Sequence, residues 1–239
     1  MSLFALAWFY FWVFLHPGQG LPFPGPGMPA FTGTPVSYEA AAHTHISTAG
    51  TSASFSITLG GTSSTRAVMV GLTFYQNTAS GITVTVGGNS ASLISGTDTG
   101  TTYTRRSMLY GLPTSLTGAQ TVAISWTTNE FGAFGAISAT GVNQATPFNN
   151  GTFTGHNGSA STASLTITGR SGDLTSTVLC ASPGTLTPSS NQTEEWSDEE
   201  SPTGIIGAGD VGPGTGTTNH TWSASYTYYA LSGANFCHN

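Results

Sequence analysis

Lysine is absent from this 239-residue sequence, and charged residues of either sign are rare. Four arginines and ten acidic residues make up only 6% of the chain, whereas an ordinary globular domain carries roughly a quarter. A nucleic-acid interface needs clustered cations to displace counterions from phosphates, and the only adjacent basic pair is Arg105–Arg106. Because the formal net charge is −6, we exclude a nucleic-acid partner.

The scarcity of charge does not indicate disorder, because 38% of the residues are hydrophobic and disordered segments combine low hydrophobicity with high net charge. Ser, Thr, Asn and Gly supply the polarity instead, which predicts an extracytoplasmic protein. Cysteine is scarce as well. Cys180 and Cys237 permit one disulfide without requiring it, and a small buried hydrophobe is the preferred interpretation of Cys180.

Composition divides the chain into an apolar anchor (1–16), a Pro/Gly-rich spacer (17–35) and a β domain (36–239). On a helix, the thirteen apolar residues 3–15 would span about 20 Å, less than the ~30 Å hydrocarbon core of a bilayer. Three interpretations remain open: burial in a partner protein, contact with a membrane, or an uncleaved signal-like segment. The aromatic residues that predict such an anchor are Phe4, Trp8, Phe9, Tyr10, Phe11, Trp12 and Phe14.

Beyond residue 36 the apolar residues alternate with a period of two, as in residues 54–59, 82–86, 121–126 and 164–168. Glycine, asparagine and proline interrupt this pattern at short intervals, as turns require. Two stretches, 66–75 and 131–142, are continuously apolar, as strands buried on both faces would be. We therefore predict an all-β fold: an antiparallel β-sandwich, jelly-roll-like, preceded by the short apolar anchor.

Several segments resemble strands and turns of one group of modules. They are RAVMVGLTF (66–74), ITVTVGGNSASL (82–93), AISATGVNQATPF (136–148), SGDLTSTVL (171–179) and YALSGANF (229–236). Together they resemble jelly-roll or immunoglobulin-like β-sandwich modules of tailed-phage virion proteins and of secreted or surface bacterial proteins. The resemblance covers roughly residues 36–236 and implies a fold. It brings no catalytic residues, and the first 35 residues fall outside it.

No motif in the chain predicts catalysis, a metal or a cofactor. The triplet Asp98-Thr99-Gly100 matches an aspartic protease motif, but it occurs once and lies among turn glycines, so we interpret it as a turn. His43 and His45 share one strand face and could bind a metal, but no carboxylate lies near them in sequence, so ordinary strand residues are the preferred interpretation. The acidic stretch 194–200 predicts a solvated surface loop, with Ca²⁺ binding left open.

The expected function is therefore non-enzymatic. We expect a phage virion surface protein (a spike, fibre or decoration subunit) whose residues 3–15 are held by virion or assembly proteins and whose β domain contacts a host-surface glycan, in a homo-oligomer. The alternative is a secreted or cell-surface bacterial protein, such as a carbohydrate-binding module or a filament subunit; a glycan-cleaving enzyme is a third hypothesis. Aromatic side chains in loops stack on sugars, and the candidates for glycan contact are Tyr103, Trp196 and Trp222. For Trp196, packing over the edge of the sandwich is the preferred alternative.

Overall fold

A computed structural model describes residues 33–181, 186–200 and 204–239, without the side chains of residues 200, 205 and 224–226. The seven aromatic anchor residues, and all of the spacer except its last three residues, lie outside this range. The described residues contain strands, turns and loops but no helix, which confirms the all-β prediction. No helix long and apolar enough to cross a membrane occurs among them.

Fifteen antiparallel strands make up the described part of the chain. Their bounds are β1 Ser37–His45, β2 Gly50–Leu59, β3 Arg66–Phe74, β4 Thr83–Val86, β5 Asn89–Ser90, β6 Ser92–Leu93, β7 Arg106–Thr114, β8 Gly118–Glu130, β9 Gly132–Thr140, β10 Phe148–Gly169, β11 Leu174–Ala181, β12 Thr187–Pro188, β13 Thr193–Glu200, β14 Ile205–Pro213 and β15 Gly216–Phe236.

These strands form three sheets. The central sheet has the order β1-β9-β3-β7-β6, and the small sheet has the order β2-β8-β4-β5. The C-terminal sheet has the order β10-β15-β11-β14-β13, with β12 paired to β15. The last sheet bends strongly, so that the Thr168 carbonyl near the end of β10 accepts the side-chain amide of Asn150 near its start. The long strand β10 therefore curls back toward its own start.

The alternation of side chains along the strands places apolar residues on both faces of the central sheet. One face packs against the small sheet, where Val70 and Phe134 meet Ile57 and Val122. The other face packs against the C-terminal sheet through residues such as Met69. As a result, β3 is buried along its whole length and β9 along all but its last residue. This confirms the prediction that these two segments are buried on both faces.

Trp196 of β13 fills the space between the central and C-terminal sheets and is only 4% exposed. Glycines make room for its ring, because a Cβ atom on Gly135 of β9 or on Gly209 of β14 would lie 2.1 Å from an indole atom. Such a separation is far shorter than a van der Waals contact. The acidic stretch 194–200 is therefore a strand that carries a core residue, and the prediction of a solvated loop is wrong.

Candidate functional site

An open cleft of about 440 Å³ lies where the loops after β3 and before β7 meet β15. We call it the tyrosine cleft. Two aromatic rings, one guanidinium group and several amides and hydroxyls surround it, a chemistry that suits an uncharged polar ligand with an apolar face. Its lining residues are Tyr75, Gln76, Asn77, Thr78, Thr104, Arg105 and Tyr228.

Arg105 contacts both aromatic rings of the cleft. Its guanidinium carbon lies 4.1 Å from the centre of the Tyr75 ring and 5.4 Å from that of Tyr228, both within the range of a cation–π contact. Its Nη1 also donates to the Tyr75 carbonyl at 2.7 Å. Because Arg105 is only 5% exposed, it holds the two half-exposed rings in place rather than offering its own charge to solvent.

Side-chain amides fix the loop that forms one wall of the cleft. Asn77 Nδ2 donates to the carbonyl of Tyr103 at 2.7 Å and to that of Thr101 at 3.2 Å. On the other side, the Thr104 N–H donates to Asn157 Oδ1 of β10 at 2.8 Å. These bonds replace the ladder hydrogen bonds that a loop lacks, so the wall is preformed.

None of the three sequence-predicted aromatics lines this cleft, and only Tyr103 adjoins it in the chain. It is half-buried and directly precedes the lining residues Thr104 and Arg105. Its ring lies against Gly155 of β10, where a Cβ atom would be 2.5 Å from the ring. Residues Tyr75 and Tyr228 were not predicted, because no local signal links positions so far apart in the chain.

The structure corrects the other two aromatic candidates. Trp196 is in the core between two sheets, as described above. Trp222 of β15 is fully buried, and its Nε1 donates to Thr177 Oγ1 at 3.3 Å. Trp222 was taken as a loop residue, although it lies on a strand. For Trp196 the preferred interpretation was packing at the edge of the sandwich, and its ring instead packs between two sheets. Neither indole has a face exposed for stacking on a sugar.

A second cluster lies inside the C-terminal sheet and has the hydrogen-bond order of a nucleophile–base–acid triad. His220 Nε2 lies 2.7 Å from Thr175 Oγ1, and His220 Nδ1 lies 3.0 Å from Asp210 Oδ2. All three residues have no exposed surface, and the Thr175 hydroxyl also donates to the Gly212 carbonyl at 2.9 Å. A substrate could not reach this hydroxyl without opening the sheet, so the arrangement acts in folding.

His43 and His45 have a carboxylate partner that the sequence could not show. Asp198 of β13 lies 3.0 Å from His43 Nδ1 and 2.8 Å from His45 Nδ1, through different oxygens. The contact joins the edge of the central sheet to the edge of the C-terminal sheet. Nevertheless, the described residues contain no group of three or more His, Cys, Asp or Glu side chains that could hold a metal ion.

The remaining candidates have structural partners. Asp98 binds Arg106 through both carboxylate oxygens and accepts the Gly100 N–H at 2.8 Å. Burial raises the pKa of Asp98, but the hydrogen bonds and charge of Arg106 and the Gly100 N–H outweigh it, so its pKa lies below the ordinary value. Cys180 and Cys237 are both buried and unpaired, and burial raises their pKa to about 12 and about 11.

No protein-family model, no curated protein and no solved structure matches this chain.

Proposed function

We propose that this chain is a non-enzymatic surface protein that binds a glycan in the tyrosine cleft. The observation that carries the proposal is the preformed pair of rings, Tyr75 and Tyr228, held over Arg105 beside the amides of Gln76 and Asn77. Sugar rings present apolar C–H faces and a rim of hydroxyls, which match aromatic faces and amide groups respectively.

The composition of the cleft favours binding over cleavage. Glycoside hydrolysis requires two carboxyl groups that flank the scissile bond, about 5 to 10 Å apart. Among the described residues that line the cleft, none is Asp or Glu. We therefore propose adhesion rather than hydrolysis as the activity of this surface.

The setting that we propose is the surface of a phage virion, with a secreted or cell-surface bacterial protein as the alternative. The charge-poor composition and the resemblance of residues 36–236 to virion modules support it. The layering of three sheets around two apolar cores supports a β-sandwich architecture. Virion or assembly proteins would then hold residues 3–15, and imaging of the native assembly around this segment would test that part.

Binding is tested by titrating the full chain with a panel of oligosaccharides. We expect Tyr228→Ala to weaken the binding of the tightest ligand by about fivefold, because a lost aromatic contact is worth roughly 1 kcal/mol. Tyr38→Ala, which removes a more exposed tyrosine ring from β1 outside the cleft, is the control and should leave the affinity unchanged. Equal losses in both variants, or no binding to any oligosaccharide, would contradict the proposal.

A further inference from the structure

The two edges of the C-terminal sheet differ in charge and in coverage. β13 carries Glu194, Glu195, Asp198 and Glu199, and β1 lies against it through the two histidine contacts of Asp198. β10, at the opposite edge, contains no Asp, Glu, Lys or Arg in its 22 residues. The acidic edge, β13, is therefore covered by β1 of the same chain. The opposite edge, β10, has no Asp, Glu, Lys or Arg side chain.

Within the described part of the chain, β15 is the only strand that pairs with β10. The register runs without a shift from Thr162, opposite Ser223, to Gly169, opposite Gly216. The Thr168 carbonyl accepts the side-chain amides of Asn150 and Asn235, so that end of the strand is already covered. Among the described residues, no strand pairs with the outer backbone groups of residues 162–167.

Residues 162–167 have none of the side chains that usually block an open edge. Edge strands are normally protected by lysine, proline, inward-pointing charges or a covering segment, and residues 162–167 contain no charge and no proline. Ala163, Leu165 and Ile167 are buried on the inner face, while Ser164 and Thr166 are exposed on the outer face. This regular alternation is what an added strand requires.

We propose that this edge pairs with the same edge of a second copy of the chain, antiparallel, about a two-fold axis close to Ser164. A second copy fits because the segment is neutral and complements itself. Outer hydroxyls would face outer hydroxyls, as Ser164 and Thr221 already do within one chain at 2.8 Å. The inner apolar residues would extend one core into the next. Such an interface is isologous, as in most dimers.

The first test places like charges on the edge of the full chain. In the double variant Ser164→Lys/Thr166→Lys, four lysines would meet across the axis, and directly opposed like charges destabilise strand pairs. We expect sedimentation velocity to show a dimer whose dissociation constant rises at least about tenfold in this variant at low salt. Thr217→Lys/Asn219→Lys, on the exposed face of the neighbouring strand, is the matched control and should leave the dimer intact.

The second test locates the contact. Ser164→Cys should form a disulfide-linked dimer under mild oxidation, whereas Asn219→Cys should not, and the native cysteines are buried. A chain that is monomeric at every concentration would overturn the proposal. So would an oligomer that neither responds to the edge lysines nor cross-links through residue 164, because it would then be held together elsewhere. Neither outcome would bear on glycan binding.

Discussion

Two regions of this molecule are stabilised by different interactions. Between the central and small sheets, Phe74, Trp126 and Phe134 form a cluster whose ring centres lie 5.2–5.4 Å apart. Inside the C-terminal sheet, Asp210 and His220 are equally buried but are joined by hydrogen bonds. We call the first region the apolar core and the second the polar core. The stability of the apolar core depends on close packing and on the apolar area that is buried. The stability of the polar core depends on every buried donor having a hydrogen-bond acceptor.

The polar core is organised around one carboxylate. Asp210 Oδ1 accepts the Thr177 N–H at 2.9 Å and the Thr177 hydroxyl at 2.7 Å. The other oxygen accepts the Gln192 side-chain amide, and His220 Nδ1 lies within 3.1 Å of both oxygens. A buried carboxylate is stable only when it is paired and fully hydrogen-bonded. The network therefore fixes the relative positions of β11, β14, β15 and the segment before β13.

The largest expected effect is that of Asp210→Ala. This change leaves His220, Thr177 and Gln192 with unpaired buried groups, and breaking a buried pair from one side costs about 3–5 kcal/mol. We expect the free energy of unfolding to fall by that amount in urea denaturation at pH 7. Asp198→Ala, which removes the carboxylate from the exposed histidines, should cost less than about 1 kcal/mol. Similar losses of unfolding free energy in the two variants would contradict this prediction, because the buried contacts of Asp210 would then contribute no more to stability than the exposed contacts of Asp198.

The same substitution in both cores sharpens the comparison. Trp222 donates its Nε1–H to Thr177 at 3.3 Å, whereas Trp126 Nε1 has no hydrogen-bond partner among the described residues. Both Trp→Phe changes remove a similar volume, but only Trp222→Phe also breaks a hydrogen bond. Trp222→Phe should therefore cost about 1 kcal/mol more than Trp126→Phe in thermal or urea unfolding. A larger loss for Trp126→Phe would show that packing alone decides both sites.

The apolar core was predictable from the sequence, and the polar core was not. Alternation in residues 54–59 and 121–126 predicted β2 and β8, and the continuous apolar run at 66–75 predicted the buried β3. These are local periodicities. Asp210 and His220 lie ten residues apart on different strands, so nothing local marks them as partners. Only the tertiary fold brings them together.

The same limit applies to the tyrosine cleft. Tyr103 was predicted as a glycan contact but only adjoins the cleft in the chain, and Arg105 was considered only as half of the one basic pair. Tyr75 and Tyr228 were missed because their proximity depends on how the sheets pack. The acidic stretch was misassigned because charge was taken as a sign of exposure, and a bulge between Glu194 and Trp196 interrupts the alternation of β13 that would otherwise mark it as a strand.

The smallest expected effect is that of Glu194→Gln, which removes a carboxylate near the Asp210 carboxylate of the polar core. Burial and the Asp210 carboxylate raise the pKa of Glu194 above its ordinary value. A raised carboxyl pKa means that the folded state binds the proton more tightly than the unfolded state, so stability is lost as pH rises from the unfolded pKa through the folded one. Glu194→Gln should therefore stabilise the protein slightly at pH 7, by about 0.3 kcal/mol at this exposed position, and not at pH 3.

The measurement is the free energy of unfolding of wild type and Glu194→Gln in urea at pH 3 and pH 7, at low salt. Glu199→Gln, farther along β13, is the control for loss of one negative charge from the same strand. Salt screens the repulsion between the Glu194 and Asp210 carboxylates. It should therefore reduce the difference in unfolding free energy between Glu194→Gln and the wild type at pH 7. A gain in unfolding free energy that is equal at pH 3 and pH 7, or equal in both variants, would contradict this prediction. It would mean that the Asp210 carboxylate does not repel Glu194 on β13.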